Sequence, residues 1–147
     1  MVLNLLVAIG VFLVSVLCYV MTTTLIVNMR LRYIRAGLGF WISVAIMMFV
    51  SLVAAAGHLV QIALWAIAFM ICGEIASFNQ AFYCSAQNYT AQGYGDVHLP
   101  QRWQLLAPLE AVNGLLLFGL STAVMFAVLS SLIAHRQHRG IDHLGRD

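Results

Sequence analysis

Gly93 and Gly95 flank Tyr94 in the stretch Tyr89-Thr90-Ala91-Gln92-Gly93-Tyr94-Gly95-Asp96, a polar gap between two long apolar runs. Glycine lets the backbone take conformations that a residue with a Cβ resists. That freedom allows consecutive carbonyls to aim the same way, towards an axis. Four copies of such a strand around one axis would stack rings of carbonyl oxygens able to replace the water shell of an alkali cation. Carbonyl dipoles carry no full charge, so such rings can bind an ion strongly enough for entry and weakly enough for exit. One strand cannot surround an ion. The chemistry therefore needs several copies of the chain and a scaffold that holds the loop inside a membrane.

The composition supplies that scaffold. Of 147 residues, 63% are hydrophobic and 8% charged, against about a quarter charged in soluble domains. Such a chain cannot cover itself with polar surface, which makes it an integral membrane protein. Long unbroken apolar runs, rather than alternation at every second residue, point to helices and not a barrel. The seven basic residues are all arginine and the formal charge is +2, too small to suggest nucleic acid. Cys18, Cys72 and Cys84 lack metal-ligand spacing. A Cys72–Cys84 disulfide is possible but not the expected outcome. No nucleophile–base or metal-ligand set sits at one membrane depth, so an enzyme is not expected. The first residues lack the basic start of a cleavable signal, and the apolar run there is too long for one.

Met1 to about Val27 reads as a first span, about 20 residues being enough to cross the hydrocarbon. Thr22, Thr23 and Thr24 near its end can bond back to their own helix carbonyls. Asn28 to about Gly39 reads as a connection with Arg30, Arg32 and Arg35 and no acid, hence cytoplasmic. That puts the N-terminus outside. Phe40 to about Ile71 is a second helical run with Trp41 as interfacial anchor. His58, Gln61 and Trp65 share one of its faces, and His58 reads best as a neutral imidazole bonded to a neighbouring helix. Cys72 to Asp96 is re-entrant: Ser77 as N-cap, a helix from Phe78 to about Asn88 too short to cross, then an extended strand. Phe78, Ala81, Phe82, Tyr83 and Ala86 are too apolar for an ordinary external loop. Val97 to Arg102 turns at Pro100, and Trp103 to about Ala134 is the last span. The basic tail with His135, Arg136, His138, Arg139 and Arg146 reads as cytoplasmic. The organisation is thus 1–39, a span and basic loop; 40–134, a pore module; and 135–147, a tail. Spaced arginines occur in no span, so no voltage sensor is expected. Membrane tension, the loop itself, or His135, His138 and His143 are left as gating elements.

The Thr90–Asp96 stretch resembles the selectivity filter of tetrameric potassium channels, usually Thr-Val-Gly-Tyr-Gly followed by Asp. The resemblance covers roughly Phe40 to Ala134. It is to small bacterial potassium-channel-like proteins with this pore module plus one N-terminal span. His58 to Ala66 and the run Leu109-Glu110-Ala111-Val112-Asn113-Gly114-Leu115-Leu116-Leu117-Phe118-Gly119 are similar to those proteins too. The resemblance implies an all-α membrane protein working as a homotetramer. Each subunit would have three transmembrane helices, a re-entrant pore helix and a filter, among the lipids of a bacterial inner membrane. It implies K+ or another monovalent cation on the carbonyls of Ala91, Gln92, Gly93 and Tyr94, with Thr90 and Gly95 completing the filter. Tyr83, Gln87, Asp96 and Glu110 fall on supporting positions: Tyr83 towards Tyr94, Gln87 towards Asp96, Glu110 towards the pore helix or filter backbone. Gly114 resembles the family's hinge glycine and Gly119 is a second candidate, close helix packing being an equal reading. Thr122, Ala123 and Phe126 would line the inner cavity, where Phe126 or Met125 could form a dewetting constriction.

Two residues depart from the pattern. Ala91 stands where a second Thr usually offers its hydroxyl to the innermost ion. Gln92 stands where an apolar side chain usually packs behind the filter; buried there, its amide needs partners such as Gln87, Asn88 or Glu110. Potassium preference and weak selectivity among monovalent cations therefore both stay open, as does a non-conducting subunit. Ala91→Thr is expected to raise potassium preference.

Overall fold

The computed structural model describes residues 2–34, 40–72, 75–94, 101 and 103–144, with side chains described for 5–24, 41–72, 75–94, 101 and 103–134. It is helical, with no strand among the described residues. In chain order the elements are α1 (Val2–Ile34), α2 (Phe40–Ile71), α3 (Phe78–Tyr89) and α4 (Leu106–Leu144). Leu5–Thr24, Trp41–Ile71 and Leu106–Ala134 are long and apolar enough to cross a membrane. At 1.5 Å per residue the 32 residues of α2 reach about 48 Å, beyond the roughly 30 Å hydrocarbon layer. The 12 residues of α3 reach only about 18 Å. Leu6, Leu13, Leu17, Met48, Leu52 and Leu115 turn outward from the chain, which suits contact with lipid or another subunit rather than water.

Two boundaries differ from the sequence reading. The first helix does not stop near Val27 but runs to Ile34, through Arg30 and Arg32. The last continues past Ala134 into the basic segment, to Leu144. In both places the sequence turns polar with no Gly or Pro at hand to break the helix, over residues 28–34 and 135–139, and α4 runs on even through Gly140. Polarity ends the membrane-compatible part, not the helix. The three threonines bond back as expected, to the carbonyls of Cys18, Tyr19 and Val20 at 2.9, 2.6 and 2.7 Å. Pro108 sits in the first turn of α4, where a missing N–H costs nothing.

α3 nests against both α2 and α4, while α1 runs along α2 and α4. Trp65, Ala66 and Phe69 of α2 bury with Ala81 and Cys84 of α3, Ala8 of α1, and Trp103 and Leu106. Below them Ile62, Tyr89 and Leu117 form a second cluster. At the far end Val50 meets Val128 and Leu132. All three cysteines are free thiols.

Candidate ion-conduction site

α3 starts and ends for local reasons. Ser77 occupies the N-cap position in extended backbone, φ −102° and ψ 126°, but its hydroxyl makes no cap bond, contrary to expectation. Its carbonyl accepts the N–H of Ala81 at 3.0 Å. At the other end the N–H groups of Thr90, Ala91 and Gln92 turn back to the carbonyls of Ala86, Asn88 and Gln87, at 3.1, 2.9 and 2.9 Å. This is a left-handed C-terminal cap with Ala91 at φ 57°, a place usually held by glycine. The chain therefore does not leave α3 as an extended strand. It leaves in a tight turn, and Gly93 follows at φ 59°.

That turn sets carbonyl directions. A trans peptide points its C=O opposite to its N–H. With the N–H groups of Ala91 and Gln92 aimed back at α3, the carbonyls of Thr90 and Ala91 aim away from it. φ is negative at Thr90 and positive at Ala91 and Gly93, while Gln92 and Tyr94 stay out of the positive region. The Thr90 hydroxyl donates to the Ala86 carbonyl at 2.7 Å, so this residue offers outward its backbone rather than its side chain.

Thr90, Ala91, Gln92, Gly93 and Tyr94 form one exposed run at the end of α3. Gly95 and Asp96 lie outside the described residues, and with them the proposed Gln87–Asp96 tie. Gln92 is a correction: its side chain is exposed in this chain, not packed behind the turn. The space behind is taken by Tyr89, fully buried between α2 and α4. Tyr83 and Tyr94 are both exposed. Gln87 is buried, and among the described residues its Nε2 has no hydrogen-bond partner.

Glu110 faces protein, as an acid in an apolar span must. It is fully buried, with Oε1 2.5 Å from the Ser85 hydroxyl of α3. Gly114, one turn on, touches the backbone at the end of α3. A Cβ there would fall on the Tyr89 carbonyl, 2.9 Å from its carbon. Of the two readings of this glycine, close packing is the one with a visible contact. Gly119 has open space around it. Thr122, Ala123 and Phe126 lie on the exposed face of α4, opposite its buried Asn113, Leu117, Ser121 and Val128.

Sequence reasoning missed the partners. His58 is bonded to neighbouring helices, as read, but to two at once: Nδ1 lies 2.9 Å from the Tyr89 hydroxyl and Nε2 3.0 Å from Ser121 Oγ. Its ring stacks on Phe118 at 4.4 Å, and Tyr89 meets Phe118 edge-on. Gln61, on the same face, donates to the Ser15 carbonyl of α1 at 2.8 Å. A lone membrane histidine signals that partners exist; their identity needs the three-dimensional crossing.

Three membrane-capable helices, two of them packed on one short helix that ends in a glycine-containing turn, define an integral membrane protein. A family model described as "Ion channel" matches residues 57–131, just over half of the 147 residues. The chain belongs to this ion channel family. The match makes it a channel-type protein. The matched segment runs from the second half of α2 through α3 and the turn into α4, and so contains the contacts just described apart from that of Gln61 with Ser15 of α1. No match was found among curated proteins, and none among solved structures.

Proposed function

We propose that four copies of the chain surround a pore and pass monovalent cations, potassium foremost, along carbonyls of residues 90–94. The observation that carries this is the turn after α3. The carbonyls of Thr90 and Ala91 point away from the helix end, and the sign of φ alternates onward through Gly93. A column of carbonyls requires successive peptide groups facing one way, and those of Thr90 and Ala91 do so. α3 ends at this turn, and the partial negative charge of its C-terminus favours a cation there. The exposure of residues 91–94 in a single chain fits a surface completed by other copies. The basic segments around residues 28–39 and 135–147 would face the cytoplasm, with the N-terminus outside.

Weak selectivity among monovalent cations is the second reading, favoured by the methyl group of Ala91 where a hydroxyl would serve the innermost ion. Reversal potentials of the purified protein in bilayers, with potassium and sodium on opposite sides, separate the two. A strongly potassium-directed potential supports the first, a potential near zero the second. No current, or a particle mass other than four chains, refutes the assembly.

A further inference from the structure

Ser85 sits on α3, fully buried, between two oxygens. Its Oγ lies 2.7 Å from the Ile62 carbonyl of α2 and 2.5 Å from Glu110 Oε1 of α4. A serine hydroxyl has one hydrogen, and a backbone carbonyl has none. If the hydroxyl donates to Ile62, the contact with Glu110 needs a hydrogen from the carboxyl. If it donates to the carboxyl, the contact with Ile62 holds no hydrogen. Both contacts are hydrogen bonds only when Glu110 carries a proton. The remaining oxygen agrees: Oε2 is buried and among the described residues meets no hydrogen-bond partner within bonding geometry, tolerable for a neutral carbonyl oxygen and costly for half of a charged carboxylate. The Asn88 side chain also faces the carboxyl, but an amide N–H can donate to either form and does not decide between them.

We propose that Glu110 works as a neutral carboxylic acid whose O–H is the donor that fastens α3 to α4, leaving Ser85 to fasten α3 to α2. The carboxyl proton frees that of Ser85 for α2, and the two together hold the three helices a turn before residues 90–94. Glu110 is a positioning residue; that role rests on the channel reading above, whereas the protonation does not.

Infrared difference spectra of wild type and Glu110→Gln, taken on purified protein at neutral pH, test it. The expected result is loss of a protonated-carboxyl C=O band in Glu110→Gln. Loss of carboxylate bands instead overturns the proposal. Glu110→Gln keeps a donor towards Ser85, so it should unfold at nearly the wild-type temperature, whereas Glu110→Ala should carry about tenfold less flux. Equal damage from both substitutions overturns it. Should Glu110→Gln not fold, Ser85→Ala serves: the acid C=O band should persist and shift, and an unmoved band overturns the claim. Absent current with the band present would refute conduction and leave the protonated acid standing.

Discussion

α4 meets its neighbours in two different ways along its length. Beside α3 the contact is backbone against backbone at Gly114, acid against hydroxyl at Glu110, and ring nitrogen against two hydroxyls at His58. Each allows one arrangement, since hydrogen bonds are directional and a backbone cannot be repacked. At the far end α4 meets α2 through Val50, Val128 and Leu132, with Ile46, Met47, Val53 and Met125 around them. A groove of about 560 Å³ opens there, lined by Met47, Met48, Leu129 and Ile133 among others. Apolar contacts rich in methionine allow many arrangements of similar energy. The same helix is thus fixed where it supports the proposed conduction stretch and adjustable where the candidate constriction lies.

Gly114→Ala should break the fixed end most severely. The added methyl has no room against the Tyr89 carbonyl, and the conflict is with backbone. We expect a loss on the order of 3 kcal/mol in detergent unfolding, with no ion flux. Gly119→Ala, with nothing within reach, should leave stability equal or better, as alanine replaces glycine in a helix. Similar behaviour of the two variants would mean that the contact at Tyr89 does not fix α4.

His58→Ala comes next. It strands the hydroxyls of Tyr89 and Ser121, both buried, at about 2 kcal/mol. Chemical unfolding should show this loss, and flux should fall because the end of α3 loses its link to α4. Unchanged stability would reduce His58 to a filler of space.

The contrast also explains what could be read from the chain alone. α2 was legible to the residue and α3 to within one, because apolar length and a lone serine at position 77 mark them. The ends of α1 and α4 were not, since arginine is a good helix former and polarity alone does not stop a helix. Within the site, Glu110 was legible as an acid that must face protein. Ser85 was not, because a single serine on a short helix carries no sign of what crosses it. Gln92 misled for a related reason. Position in a motif suggested burial, whereas the turn at Ala91 puts the residue on the surface of the chain and leaves the interior to Tyr89.

The turn itself offers a smaller effect of opposite sign. Ala91 holds φ 57° without being glycine, so Ala91→Gly should gain about 1 kcal/mol. Ala91→Thr places a β-branched residue at a left-handed position. The change in potassium preference expected from its hydroxyl then comes with strain, and the glycine variant is the control that separates the two. A turn that is destabilised by glycine would argue that φ at this residue is negative in the folded protein.

Phe126→Ala should move stability least and still be informative. The ring is 70% exposed in this chain, so its removal should alter unfolding of the subunit by no more than about 0.5 kcal/mol. If the exposed face of α4 lines a cavity, the ring narrows an apolar passage that closes by shedding water. Widening that passage should raise open probability while leaving the permeability ratio of potassium to sodium unchanged, because the proposed function sets that ratio at residues 90–94. Single-channel recording in bilayers resolves both quantities together. A change in the ratio with no change in opening would reverse the assignment, making the α3 end the adjustable one and the apolar end the fixed support.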